Sequence, residues 1–252
     1  GVGCYSSKDL LNWKFEGIVL SAVKDDPNHD LHPSKVLERP KVVYNKKTGK
    51  FVMWAHVESA DYSKACAGVA VSDSPVGPFV YQGSFRPNNA MSRDQTVFVD
   101  DDGRAYQFYS SENNETMYIS LLTDDYLKPS GRFTRNFVKE SREAPAVFKY
   151  NGKYYLSYSD NHDENWNDGV KGDNRMRYAV SDSPLGPWES KGIYMEPTDS
   201  YTNHGSIVEF KGQWYSFYHN SALSGHDWLR SICVDKLYYN PDGTIQIVKQ
   251  TK

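Results

Sequence analysis

Apolar and aromatic residues come in short runs along this chain, broken by clusters of Gly, Asn, Asp and Pro. No stretch keeps the period of an amphipathic helix. The runs predict strands and an all-β fold. Four stretches share one layout: a polar residue, an apolar strand, a turn over glycine and a returning aromatic strand. They are Glu38 in LERPKVVYNKKTGKFVMWAH, Asp94 in RDQTVFVDDDGRAYQFYSS, Glu143 in REAPAVFKYNGKYYLSYSD and His204 in NHGSIVEFKGQWYSFYHN. The polar residue lies eleven, nine, nine and eight positions before Gly49, Gly103, Gly152 and Gly212. YNG at 150–152 and DDG at 101–103 are tight hairpin signals, because Asn and Gly accept positive φ.

A second repeat interleaves with the first. GVAVSDSPVGPFVYQGS (68–84) is matched by RYAVSDSPLGPWESKGI (177–193), with looser cousins CYSSKDLLNWKFEGI (4–18) and YISLLTDDYLKPSGRF (118–133). Each reads as a strand, a tight turn and a further strand. Joined to the aromatic hairpins, they make units of about 50 residues with four strands each, a period that favours propeller blades over a sandwich. The expected architecture is one five-bladed β-propeller over residues 1–252. Blades two to five occupy about 37–90, 91–140, 141–200 and 201–252, starting near Leu37, Ser92, Ser141 and Thr202. Residues 1–20 supply only the two outer strands of the first blade, which is therefore incomplete in this chain. KLYYNPDGTIQIVK reads as the outer hairpin of the last blade and does not fill the gap. An open ring leaves strand edges unpaired, so self-association through the open blade is an expectation.

In a radial repeat the four polar strand starts converge on one axis, which would place three carboxylates and an imidazole in a single pocket. That is the equipment of a sugar-cleaving site. The net charge of −3 argues against nucleic acid as the main partner. No apolar run is long enough to span a membrane as a helix. The opening GVGCYSSKDL lacks the basic and apolar regions of a signal peptide. Cys4, Cys66 and Cys233 lie far apart without CxxC spacing and indicate neither a zinc site nor a disulfide framework. Aromatics reach 14%, which strand packing explains in the main; the remainder offer flat faces for sugar rings. DDDG at 100–103 lacks the further ligands of a calcium loop and reads as a turn, and no GxSxG elbow is present.

The motifs ERPKVVYNKKTGKFVMW, GVAVSDSPVGPF, SRDQTVFVDDDGRAY, YSSENNETMYIS, LTDDYL and SREAPAVFKYNGKYYL resemble glycoside hydrolase family 43. Within it they are most similar to the branch of exo-acting galactan 1,3-β-galactosidases. The C-terminal TNHGSIVEFKGQWYSFYHNSALSGHDWLRSICVDKLYYNPDGTI is closer to arabinofuranosidase and xylosidase members. The resemblance implies a five-bladed propeller that hydrolyses glycosidic bonds with inversion, a secreted or periplasmic location, and no required cofactor. It makes Glu143 the general acid and Asp94 the carboxylate that orients it and keeps its pKa raised. Glu38 becomes an acidic residue of the pocket, Arg230 a contact to sugar and acid, and His204 an axial histidine at a candidate calcium or water site. The family's usual base aspartate belongs to the inner strand missing here, so the base falls to Glu38, Glu112, Asn203 or His204, with Glu38 first, or to the missing segment.

Other candidates come from position. Trp54, His56, Tyr62 and Trp166 follow inner strands or lie in connecting loops, where substrate contacts are made. Glu112 ends an inner hairpin, and Arg39 neighbours Glu38 as an ion-pair partner or a sugar ligand. Trp13, Trp188 and Trp214 occupy repeated strand positions and are expected in the core. The expected function is exo-hydrolysis of an oligo- or polysaccharide, foremost a β-1,3-galactan. An α-L-arabinofuranosidase or β-xylosidase is the second reading, and a non-catalytic carbohydrate-binding or scaffold propeller the third.

Overall fold

Hairpin turns set the architecture. Gly152 and Gly212 have φ of 76° and 79°, and Asn151 and Lys211 just before them have 47° and 53°. Two consecutive left-handed residues form the turn whose twist matches the strands on either side. The computed structural model describes residues 1–137, 142–160 and 174–251, and every sheet in it is an antiparallel meander.

Strands β1 (Val2–Ser7) and β2 (Trp13–Leu20) make a two-stranded sheet. Strands β3 (Val36–Asn45), β4 (Lys50–Glu58), β5 (Cys66–Ser72) and β6 (Val80–Phe85) make a sheet in that order. A second four-stranded sheet holds β7 (Gln95–Val99), β8 (Ala105–Ser111), β9 (Thr116–Leu122) and β10 (Pro129–Asn136). The third holds β11 (Glu143–Tyr150), β12 (Lys153–Ser159), β13 (Met176–Ser181) and β14 (Glu189–Met195). Strands β15 (Gly205–Phe210), β16 (Gln213–Asn220) and β17 (Ser231–Leu237) make a three-stranded sheet. The fold is all-β with blade-type sheets. The chain divides into two compact units, Gly1–Asn113 with Ser120–Phe133, and Asn114–Ile119 with Thr134–Lys252.

The SDSP repeat folds identically in both copies. Ser72 Oγ accepts from the Ser74 amide at 3.1 Å, as Ser181 Oγ does from Ser183. The Gly77 and Gly186 amides then close the turns on the Ser74 and Ser183 carbonyls. After β17 the stretch KLYYNPDGTIQIVK turns back as a short hairpin, with the Asn240 amide donating to the Thr244 carbonyl and the Gln246 amide to the Tyr238 carbonyl around the Tyr239–Ile245 bridge. Its Ile245 amide donates to the Tyr178 hydroxyl and its Val248 amide to the Tyr194 carbonyl, so it is spent on bracing β13 and β14.

In the first unit, Val52, Trp54, Ala67, Val69, Val97 and Ala105 build one core cluster. Beside it, Val19 and Leu20 of β2 pack with Met53, Ala70 and Phe79. Trp54 is therefore not a substrate contact. It is 0% exposed, and its indole N–H donates to the Tyr126 carbonyl at 2.8 Å. The expectation failed because β4 lies between β3 and β5 with both faces buried, so neither face offers Trp54 to a ligand. Trp13 errs the other way: at 46% exposed it is no core residue. Trp188 is half-buried, and so is Trp214, whose ring packs on Phe148 and Tyr150. Trp54→Ala is expected to lower stability by about 3–5 kcal/mol, the range for deleting a large buried aromatic. Urea unfolding checks this, and a loss under about 1 kcal/mol would contradict the placement.

Candidate active site

Glu-x-Pro is a local code that the chain uses twice. Glu38 pairs His56 after Val36 and Leu37 have opened the β3–β4 ladder, and the register then slips before Lys41 pairs Trp54. Glu143 opposes Ser159 and the register slips before Ala146 pairs Ser157. In both cases the residue between Glu and Pro is left-handed, Arg39 at φ 51° and Ala144 at φ 53°. A residue before proline is already restricted, and a side chain at positive φ adds strain that the surrounding fold must hold. The bulge sets each glutamate apart from the regular ladder that follows it.

In the first unit the side chain of Glu38 meets a buried imidazole. His56 Nδ1 lies 3.1 Å from Glu38 Oε2 and 3.9 Å from Asp94 Oδ1. The other ring nitrogen, Nε2, lies 3.2 Å from Glu58 Oε1. His56 and Glu58 share a face of β4 because they are two residues apart. Asp94 is placed by backbone pairing just ahead of β7: the Ser110 amide donates to its carbonyl at 3.0 Å. Arg93 reaches the same group, with Nε 3.9 Å from Glu58 and Nη2 donating to the Tyr62 carbonyl at 3.2 Å. The Tyr62 hydroxyl donates to Glu38 Oε1 at 2.8 Å. Exposure rises outward through the cluster: the side chains of Glu58, His56 and Glu38 are 0%, 2% and 38% exposed. Only Glu38 and Tyr62 of this group present substantial surface to a ligand.

The electrostatics follow from that layering. Burial alone would raise Glu38, yet the bonds from His56 and Tyr62 outweigh it and hold the carboxyl below its ordinary value. For His56 burial pulls downward, and the Glu38 bond, the Asp94 and Glu38 charges and the Glu58 bond lift it above the ordinary 6.5. Burial and the bond to Glu38 push the Tyr62 hydroxyl up, so it stays a donor. Ligand atoms of Glu38, His56 and Asp94 lie within 4.8 Å of one another.

The second unit holds Glu143 at the start of β11, half-buried. The Asn114 side-chain amide donates to its Oε1. Asn114 belongs to a turn in which Glu112, Asn113 and Asn114 are all left-handed, at 52°, 57° and 71°. Arg142 is buried, its guanidinium 3.8 Å from the Phe137 ring centre and 4.6 Å from that of Tyr158. Its amide donates to the Asn114 carbonyl at 3.0 Å, which ties the turn to the start of β11. His204 precedes β15, and its ring lies 5.5 Å from that of His219, whose Nε2 donates to the Thr202 carbonyl at 2.7 Å. A His204 nitrogen and a Glu143 oxygen lie within 4.8 Å. Calcium takes about six to eight oxygen ligands, more than this pair supplies.

The remaining expectations distribute unevenly. Glu112 is half-buried in its turn, and the Arg39 carbonyl accepts from the Gln95 amide at 2.9 Å. Arg230 donates from Nε to the Asp227 carbonyl at 2.6 Å and sits 5.9 Å from the Trp228 ring centre, so its described partners belong to its own loop. Trp166 lies outside the described residues. His56 is too buried for the substrate contact expected of it. Three contributors were missed: Glu58, Asn114 and His56 as a carboxylate partner. A faint signal existed in MWAHVE, where two ionisable residues close an otherwise apolar strand.

Comparison with known proteins follows the same lines. The profile described as Glycosyl hydrolases family 43 matches residues 1–245. A β-xylosidase of Xylanibacter ruminicola is 34% identical over 222 residues, covering 72% of this chain and 66% of that enzyme. A xylosidase/arabinosidase of Bacteroides ovatus is 31% identical, covering 96% of the chain and 81% of that protein. Among solved structures, a family 43 β-1,3-galactosidase with galactodeoxynojirimycin matches at TM-score 0.85 and 34% identity, over 100% of this chain and 86% of the other. An exo-β-1,3-galactanase of Phanerochaete chrysosporium with galactose matches at TM-score 0.82 and 31% identity, covering 98% and 56%.

The layered cluster carries a pH signature. His56, raised on folding, contributes stability that is complete below pH 6.5 and is lost as pH rises through its folded value. Urea unfolding from pH 6.5 to about 9 is expected to show that decline; a flat profile would contradict it.

Proposed function

The chain belongs to glycosyl hydrolase family 43, and we propose that it is an inverting, exo-acting galactan 1,3-β-galactosidase built on a five-bladed plan with an incomplete first blade. The observation that carries the sugar choice is Glu38, held ionised and partly exposed by His56 and Tyr62 within ERPK. That motif is the one resembling the galactanase branch. The likeness to β-1,3-galactosidase structures at 34% and 31% identity supports the same choice.

Inversion needs a carboxylic acid that protonates the leaving oxygen and a base that activates water on the opposite face of the sugar ring. Glu143 takes the first part. The family resemblance gives Asp94 the part of the carboxylate that orients that acid and keeps its pKa raised. Glu38 accepts from a sugar hydroxyl or takes the water's proton, both of which require the charged form it has. Tyr62, bonded to Glu38, adds an exposed ring beside the same hydroxyl.

A second reading, β-xylosidase or α-L-arabinofuranosidase, is favoured by the two enzymes matched at 34% and 31% identity. Reducing-sugar assays on β-1,3-galactan, xylan and arabinan separate the two. Glu143→Gln is expected to lower galactose release by about 10²–10⁴-fold, the usual contribution of general acid catalysis. Unchanged release by that variant would remove Glu143 from the role, and turnover of xyloside or arabinofuranoside alone would install the second reading.

A further inference from the structure

We propose that Glu58 and His56 form a buried positioning dyad that aims the His56 Nδ1–H at Glu38 and Asp94. The proposal rests on the reading of Glu38 as the charged group that meets the sugar, and it assigns that state to residues the sugar does not touch.

Geometry alone constrains the protons. Both ring nitrogens of His56 face carboxylates, Nε2 facing Glu58 at 3.2 Å and Nδ1 facing Glu38 at 3.1 Å. An ionised carboxylate only accepts, so two such partners need a hydrogen on each nitrogen. The alternative is a protonated carboxyl on one side. Glu38 is the less suited to that, because its bonds hold it below its ordinary value. The groups facing His56 are the Glu38, Asp94 and Glu58 carboxyls, with the Tyr62 ring 6.4 Å away. Carboxyls on both edges of one buried imidazole favour the charged ring, in line with its raised value.

The ion-pair partners of Glu58 among the described residues are His56 and, at 3.9 Å, Arg93. The Glu58 side chain is 0% exposed, so no ligand reaches it, and its Oε2 is buried with no hydrogen-bond partner among the described residues. Carrying a carboxylate into the interior is costly, and compensation comes from His56 and the more distant Arg93. The cost is offset if the charge has a use. Glu58 fixes the Nε2 edge, the ring cannot turn over without losing that bond, and Nδ1 is left 3.1 Å from Glu38. The dyad works like the carboxylate that orients a histidine from behind in metal and acyl-transfer sites, with a second carboxylate as its target.

Ring ¹⁵N shifts of His56 across a pH titration, in the wild type and in Glu58→Gln, test this. Glutamine keeps the shape, and its side-chain oxygen still accepts from Nε2–H, so only the charge is lost. The wild type is expected to show both nitrogens protonated at neutral pH. The variant's midpoint is expected to fall by roughly one pH unit or more. On β-1,3-galactan, kcat/KM of the variant is expected to drop about tenfold at pH above its new midpoint and to recover at acid pH, where His56 is charged again. A general packing defect would not recover. A neutral His56 in the wild type, an unmoved midpoint, or a variant-to-wild-type ratio that stays flat with pH would each overturn the dyad. A wild type inactive on every sugar would defeat the functional reading, and the ¹⁵N titration would still decide the proton positions.

Discussion

The first unit depends on a single imidazole that separates carboxylates which could not otherwise share one place. Glu58 is fully buried and Glu38 is partly exposed, and His56 bonds to both. Like charges brought this close would force one group to take up a proton. His56 stands between them, and its bond helps to hold the outer carboxyl below its ordinary value as an acceptor that faces solvent. Removing one partner of such a buried arrangement typically costs roughly 3–5 kcal/mol, against net domain stabilities of about 5–15. The cluster is therefore expensive to hold, which fits a site kept for chemistry more than one kept for stability.

Backbone strain and electrostatics act on the same residues. Each Glu-x-Pro bulge stores a left-handed non-glycine residue directly after its glutamate. Each glutamate is then held by a neighbour: Glu38 by His56 and Tyr62, Glu143 by Asn114. The environments differ in kind. Glu38 receives charged and phenolic donors, which favour the carboxylate. Glu143 receives an amide and has Arg142 next in sequence, with that guanidinium drawn away between two aromatic rings. Two glutamates with one backbone code and different surroundings can serve opposite parts of an acid–base reaction.

Much of this was legible in the residues. Turn chemistry marked the hairpins, because Asn-Gly and Lys-Gly turns and the SDSP repeat act locally. The polar strand starts were visible for the same reason: Glu38, Asp94, Glu143 and His204 each break an apolar pattern at a fixed distance from a glycine. Partners brought in by pairing were not legible. His56 and Glu58 read as the end of a strand, since nothing in MWAHVE tells that Glu38 lies across the ladder. Trp54 and Trp13 were misplaced for a related reason. In a strand with aromatics on both faces, the side facing the core is fixed by neighbouring strands and not by the strand itself. Asn114 escaped because a run of left-handed residues, ENN, looks like any polar turn.

The account turns on an inverting release of galactose from the end of a β-1,3-linked chain. Proton NMR of a β-1,3-galactan digest in its first minutes reads this directly, because the two anomers of free galactose give separate signals before they equilibrate. The account predicts α-galactose as the first and dominant product, with β-galactose growing in later. Initial β-galactose, or early oligosaccharides in place of the monosaccharide, would contradict it.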